Sequence, residues 1–230
     1  FTYYPQNYNS AGWNAFEMLL QWFFSEPVIE GKTVPAGNIA FVIYGNNDND
    51  ASPELTANEQ SVNNKLISLG WEDKITYIKS SRLKNSDLSG ASLVVATEIF
   101  AIDKNTVNDL INAGRKVMLL KDAGSVMGGD WKLESCCGDK QNSLYIDVNE
   151  GFFNGYSSSV GFMLQPSGGY YSYNISSNYP VGWTVLGRNG NNAAYKTAFY
   201  REHGTSGGKG AIFTYYPQNY NSAGWNAFEM

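Results

Sequence analysis

The sequence predicts an α/β fold with a mainly parallel sheet, and three observations carry that prediction. Residues 38–44 contain an unbroken apolar run, which is typical of a strand that is buried on both faces. Residues 116–121 contain a second run of this kind. Strand-like and helix-like patterns alternate between the two runs, and this order indicates βαβ units with right-handed crossovers.

The elements between the two runs follow from local patterns. Thr56 precedes Glu59 by three positions, which is the spacing of a capping box and indicates the start of a helix over 56–69. The apolar face of this helix is formed by Val62, Leu66 and Leu69. The other predicted elements are strands at 75–79 and 91–97 and a helix at 105–113, which ends at Gly114.

The composition changes after residue 121, where Gly, Ser, Asn and Tyr become frequent and helical periodicity is absent. We expect an irregular, β-rich insertion over 122–180. Its candidate strands are 143–148, 160–164 and 170–174. A later group of strands is predicted at 181–186, 193–201 and 210–216.

The first 18 residues of the chain recur without a mismatch as residues 213–230. Identity at a fixed offset indicates the repetition of a whole unit. Three explanations stay open: a window cut from a tandem array, an engineered or permuted chain, and a subunit that exchanges a terminal segment with its neighbour. The predicted organisation is a strand–helix tail of a preceding or exchanged repeat at 1–24, a linker at 25–37 and a domain at 38–230.

The first copy of the repeated segment continues into a helical pattern, and the second copy stops before that pattern is complete. We therefore expect the final helix of the domain to be cut short at Met230. The apolar face of the complete helix, which is a candidate assembly surface between repeats, consists of Trp13, Phe16, Leu20 and Phe23.

The order of elements, together with the late strands, resembles class I glutamine amidotransferase-like domains. The late segments look like the end of the trehalose-utilisation-like and beta-galactosidase-associated members of that family. The segments that carry the resemblance are 182–186, 193–201, 208–220 and 223–225. The resemblance implies a flavodoxin-like, three-layer sandwich and does not extend to residues 122–180.

Catalytic members of that family place a Cys nucleophile on a tight turn after a central strand and a His base in a late His-Pro-Glu motif. The late motif aligns here with Tyr216-Pro217-Gln218, so Tyr and Gln stand where the base and its carboxylate partner would be. The turn falls near Gly124-Ser125, with no Cys. A nucleophile needs a base within hydrogen-bond reach, so the resemblance implies a degenerate site with Ser125 as its residual nucleophile candidate.

The single histidine, His203, lies in a segment rich in Gly and Ser. Such a segment suits the tip of a hairpin better than a catalytic site. The chain is therefore predicted to be non-catalytic.

Oxygen-bearing side chains follow the first predicted strand. Asp48, Asp50 and Ser52, with Glu59 eleven positions after Asp48, have the spacing of a calcium-binding loop. Pro53 stands where such a loop requires Gly, and Glu59 is also claimed by the capping box. A solvated loop whose polar side chains cap turns is the alternative. No cofactor other than calcium is indicated.

Two further features concern covalent modification. Cys136 and Cys137 are adjacent, which leaves a vicinal disulfide, two free thiols and bridges to other chains as open alternatives. Asn174 begins the sequon Asn-Ile-Ser and is a candidate glycosylation site.

The chain has a net charge of −5, one His and only 16% charged residues. These values argue against nucleic-acid binding and against a metal site built from histidines, and no apolar run is long enough to span a membrane. The favoured hypothesis is a structural repeat unit of an extracellular filament or surface protein, whose partners are identical repeats and glycans. The alternative is a carbohydrate- or calcium-binding module of a secreted protein.

Overall fold

A computed structural model describes residues 37–45, 53–99, 101–133, 143–146, 162–163, 173–189 and 194–219. These residues contain eleven strands and two α-helices. The strands are β1 (Ile39–Ile43), β2 (Ile75–Lys79), β3 (Leu93–Ala96), β4 (Lys116–Leu120), β5 (Trp131–Leu133), β6 (Ser143–Ile146), β7 (Phe162–Met163), β8 (Tyr173–Ile175), β9 (Thr184–Asn189), β10 (Lys196–His203) and β11 (Gly208–Phe213). The helices are α1 (Ala57–Ser68) and α2 (Lys104–Asn112).

One half of the sheet is parallel. Its strands lie in the order β2-β1-β3-β4-β11, and every neighbouring pair in this half runs in the same direction. This is the strand order of flavodoxin-like folds. The predicted α/β class is therefore confirmed.

The two helices cover opposite faces of the parallel half. Val42 of β1 belongs to the same buried cluster as Val107 of α2. The preceding residue, Phe41, contacts the ring of Tyr77, whose hydroxyl donates a 2.6 Å hydrogen bond to Asn63 Oδ1 on α1. Successive side chains of a strand point to opposite faces, so α1 and α2 lie on either side of the sheet in the predicted three layers.

The central strands are the most buried part of the fold. All residues of β1 and β3 are buried, as are four of the five residues of β4. Both apolar runs are thus confirmed as strands that are covered on two faces. Within the described ranges, no helix is long and apolar enough to cross a membrane.

The strands after residue 121 extend the same sheet in antiparallel fashion. β11 pairs with β10, β10 with β9, β9 with β6, and β6 with β7, while β8 pairs with both β10 and β5. The sequence patterns did not indicate β5. Strands of the predicted insertion therefore join the main sheet, because their backbone groups find partners on β9 and β10.

The hairpin of β10 and β11 lies close against the end of α2. A Cβ atom on Gly208 would lie 1.7 Å from the carbonyl oxygen of Ile111, so only glycine fits there. Gly114 ends α2 with a φ of 85°, as the sequence predicted. His203 is the last residue of β10, next to the turn, which confirms its predicted place at the hairpin tip.

The helix α2 begins with a side-chain cap. Asp103 Oδ1 accepts hydrogen bonds from the N–H groups of Asn105 and Thr106 at 2.8 and 3.0 Å. The Thr106 hydroxyl donates to Asp103 Oδ2 at 2.8 Å. These hydrogen bonds hold the pKa of Asp103 below its ordinary value, and the bond from the Thr106 N–H contributes most.

We predict that Asp103→Ala lowers the free energy of unfolding by about 1 kcal/mol at neutral pH, because the first turn of α2 loses its cap. Since the pKa of folded Asp103 is depressed, this stabilisation is complete above the ordinary Asp pKa and is lost as the pH falls through the folded-state pKa. Urea unfolding across a pH series measures both effects. Asp109→Ala removes the same charge from an exposed position of α2 and is the control. A difference that persists unchanged in strong acid would contradict the prediction.

Candidate functional site

Polar side chains converge where β1, β3, β4 and β11 end. The chain leaves β1 towards β2 on one side of the sheet and leaves β3 towards β4 on the other, so the connections diverge between β1 and β3. In open α/β sheets, ligands bind at such a switch point, outside the carboxyl ends of the strands. This edge of the sheet is therefore the candidate site.

Glu59 joins the end of β1 to the start of α1. Its side chain is fully buried, and its two oxygens accept hydrogen bonds from the N–H groups of Tyr44 at 2.5 Å and Thr56 at 2.7 Å. In return, Thr56 Oγ1 accepts the N–H of Glu59 at 3.3 Å. The predicted capping box is confirmed, and the bond to Tyr44 extends it to the neighbouring strand.

The hypothesis of a calcium loop included Glu59 as its last ligand. Both oxygens of Glu59 already accept backbone hydrogen bonds, so this residue performs the capping role that the sequence left open for it. Asp48, Asp50 and Ser52 lie outside the described residues, and calcium binding stays a prediction. Within the described ranges, no group of three or more His, Cys, Asp or Glu side chains is arranged to hold a metal ion.

Glu98, which closely follows β3, is the centre of the site. Its Oε1 accepts hydrogen bonds from the Thr56 hydroxyl at 2.8 Å and from Asn58 Nδ2 at 3.4 Å. Its Oε2 forms an ion pair with Lys121 Nζ. Asn58 Oδ1 in turn accepts the N–H of Gln218 at 3.3 Å. One carboxylate thus links residues from α1, β3, β4 and the segment after β11.

Lys121 directly follows β4 and has a left-handed backbone, with a φ of 52°, which is uncommon for a residue with a side chain. Its N–H donates to the carbonyl oxygen of Phe213 at 2.8 Å and so continues the pairing with β11. Its Nζ lies 5.1 Å from the centroid of the Tyr216 ring, a cation–π distance. The side chain is only 13% exposed, so the ammonium group is largely removed from water.

Asp122 supplies a second carboxylate. Its Oδ1 accepts the N–H of Ile99 at 3.0 Å, and its Oδ2 lies 3.7 Å from Lys121 Nζ. Burial raises the pKa of Asp122 above its ordinary value; the charge of Lys121 opposes this shift and the charge of Glu98 adds to it. Two carboxylates therefore share one ammonium group in a poorly hydrated place.

The strand-to-turn position after β4 falls on Lys121. The sequence predicts this turn near Gly124 and Ser125, but the positive φ lies at Lys121. Ser125 lies instead within the 3-10 helix Ala123–Met127, where its carbonyl oxygen accepts the N–H of Gly128. The physical reason is that β4 ends at Leu120, before the Gly-containing stretch begins.

Tyr216, the residue that the resemblance aligns with the base, lies beside Lys121 after the end of β11, and the alignment itself stays a prediction. Gln218 has an exposed side chain and contributes its backbone N–H. Asn174 lies in β8, opposite Lys132 of β5. The other candidate residues, which lie outside the described ranges, are Cys136, Cys137, Trp13, Phe16, Leu20 and Phe23.

Sequence reasoning missed the central pair of the site, Glu98 and Lys121. A signal was present, because each charged residue stands at the end of an otherwise apolar strand. The two residues are 23 positions apart, and only the parallel pairing of β3 with β4 brings them together.

No protein-family model matches the sequence, and no curated protein matches it. Solved structures do share its fold. A protein from Thermoplasma acidophilum, described as a subunit of GMP synthase, has a TM-score of 0.51 at 11% identity, over 84% of this chain and 90% of its own. A beta-galactosidase from Rahnella sp. R3 has a TM-score of 0.51 at 14% identity, over 84% of this chain and 31% of its own. The mmIFT52 N-terminal domain has a TM-score of 0.51 at 10% identity, over 84% of this chain and 94% of its own.

At these identities the likeness shows a common α/β fold alone, since one fold hosts many functions. The predicted resemblance to amidotransferase-like and beta-galactosidase-associated domains is confirmed at that level. Two of these three neighbours are enzymes or parts of enzymes by their names. The chemistry of this chain depends on its own residues.

We predict that Glu59→Gln lowers the free energy of unfolding by about 2 kcal/mol, because the amide leaves one of two buried N–H groups without an acceptor. The loss should be equal in a chelator and in excess calcium, since both oxygens of Glu59 serve the backbone. Urea unfolding in the two buffers measures it. Glu72→Gln, at an exposed position, is the matched control. A loss that appears only with calcium would instead identify Glu59 as a calcium ligand.

Proposed function

We propose that this chain is a non-catalytic structural repeat unit of an extracellular filament or surface protein, and that its repeats assemble through contacts with one another. The observation that carries the proposal is the way the fold uses the repeated 18-residue segment. Near-identical repeats suit mechanical or multivalent roles, because each unit presents the same interface.

The second copy of the segment is built into the domain. It starts at Phe213, the last residue of β11, and continues through Tyr215, which is fully buried with its hydroxyl 3.0 Å from Thr197 Oγ1. The next residue, Tyr216, covers Lys121. This place beside β4 is therefore occupied. In a tandem array, the identical first copy takes the equivalent place in the repeat that precedes it.

The turn after β4 supports a non-catalytic role. A nucleophile needs a base that activates it, whereas the Lys121 ammonium group contacts the Glu98 carboxylate, lies near Asp122 and packs against the Tyr216 ring. Tyr216, which the family resemblance aligns with the base, covers the lysine. Hydrolysis of a small ester that is abolished by Ser125→Ala would contradict this part of the proposal.

Location and partners are inferred from composition. Only 16% of the residues are charged, and neutral polar and aromatic groups then build much of the surface, as in secreted fibres and cell-surface layers. The sequon at Asn174 is consistent with an extracellular, glycosylated protein. The proposed partners are identical repeats and glycans.

We predict that Tyr3→Ala and Tyr215→Ala, the same substitution in the two copies, have different effects on stability. Tyr215 is fully buried in the domain, so Tyr215→Ala should lower the free energy of unfolding by about 3 kcal/mol. Tyr3→Ala should leave the stability unchanged, because the second copy already fills the place of this segment in the domain. Urea unfolding of the two variants measures both effects.

The natural protein allows a separate test of the tandem array. Its intact mass should exceed the 25.4 kDa of this chain by further repeats. A natural protein of about that mass would contradict the proposal.

One observation favours a second function, carbohydrate binding. The Tyr44 and Ile99 side chains are 52% and 38% exposed, and they lie at the ends of β1 and β3, on either side of the switch point. Aromatic rings beside polar groups are suited to stack against sugars. Calorimetry with an oligosaccharide panel should then give heat that Tyr44→Ala abolishes, while its backbone bond to Glu59 is kept. No heat from the unaltered chain would exclude this function.

A further inference from the structure

Three ionisable side chains at the switch point lie close to one another and are less exposed to solvent than an ordinary surface ion pair. The side chains of Glu98, Lys121 and Asp122 are 12%, 13% and 10% exposed. The Tyr216 ring covers the ammonium group on one side. An amine and two carboxyl groups are thus held together where little water competes for them.

The Glu98 carboxyl group has two unlike oxygens. Oε1 accepts hydrogen bonds from the Thr56 hydroxyl and from Asn58 Nδ2. Oε2 faces Lys121 Nζ. This asymmetry polarises the carboxyl group towards Oε1, and the amine lies next to the other oxygen of the same group.

We propose that Lys121 and Glu98 are joined by an intramolecular isopeptide bond between Lys121 Nζ and Glu98 Cδ. Such a bond is a modification site that goes beyond the proposed structural function and does not depend on it.

The reaction balances without any other reactant. Transfer of one proton from the Lys121 ammonium group to Glu98 Oε2 gives the neutral amine and the neutral acid. The amine lone pair attacks Glu98 Cδ, so the C–N bond forms and Oε1 carries the developing negative charge. The C–Oε2 bond then breaks, and Oε2 leaves as water with its own proton and one proton from the nitrogen. Nothing is oxidised or reduced.

The neighbouring residues match the needs of these steps. Thr56 and Asn58 donate to Oε1, the atom on which negative charge develops, and donors aimed in this way lower a barrier. Asp122 lies 3.7 Å from Nζ and carries the proton from the nitrogen to the leaving oxygen. Its raised pKa supports this role, because the carboxyl group takes up a proton more readily than a free Asp does.

The proximity of the amine and the carboxyl group also raises the rate of the reaction. Well-oriented groups within one molecule react as though at about 10⁵–10⁸ M. Lys121 is fixed by its left-handed backbone and its N–H bond to Phe213, and Glu98 by its two donors. The bond ties the ends of β3 and β4 across 23 positions of sequence, and such a cross-link raises the Tm by roughly 10 °C in a chain of this size.

Mass spectrometry of the full 230-residue chain tests the proposal. The intact chain should be lighter than its sequence mass by one water molecule. Trypsin does not cleave after an acylated lysine, so the digest should contain residues 85–104 linked to residues 117–132. A chain at its full sequence mass, with residues 117–121 released as a free peptide, would overturn the proposal.

Two variants locate the reaction. Lys121→Arg keeps the positive charge beside Glu98 but has no primary amine, so it should stay at its full sequence mass and melt at a lower temperature. Asp122→Asn keeps both reacting groups and removes the proton carrier, so its cross-linked fraction should fall sharply. Loss of water that persists in Lys121→Arg would place the modification elsewhere and refute the bond. If Lys121→Arg does not fold, the linked peptide of the unaltered chain and the Asp122→Asn result still decide.

Discussion

The rest of the structure depends on the parallel pairing of β11 with β4. β11 is the last strand of the described chain, yet it lies in the middle of the sheet, between the parallel strands and the antiparallel ones. Its pairing with β4 completes the parallel half of the sheet, and its other edge pairs with β10, which in turn pairs with β9. It also carries Tyr216 to the side of Lys121. The segment that the sequence repeats begins at the last residue of this strand and completes the candidate site.

Buried charge at the switch point is the second constraint. An ionised group removed from water is costly unless hydrogen bonds or an opposite charge compensate it. Glu59 meets this requirement with two backbone donors, and Glu98 meets it with two side-chain donors and Lys121. Because each partner comes from a different element, the compensation of charge also fixes how α1, β1, β3 and β4 meet.

The candidate site lies where open α/β sheets bind ligands, but its charged side chains contact one another. Solved structures at 10–14% identity share the fold, and their names include a galactosidase and part of a synthase. Their chemistry does not transfer to a chain with Lys121 at the turn after the central strand, since function depends on the side chains at the site. The ion pair at this turn joins the ends of β3 and β4.

The sequence by itself determined the features that are encoded locally: the two apolar strands of residues 38–44 and 116–121, the capping box of Thr56 and Glu59, and the end of α2 at Gly114. Each depends on residues within a few positions of one another. Only the tertiary structure decided that Glu98 meets Lys121, that the turn falls on Lys121 and that β6 and β8 join the main sheet. These contacts join distant positions, and they are set by strand order and register, which no local pattern contains.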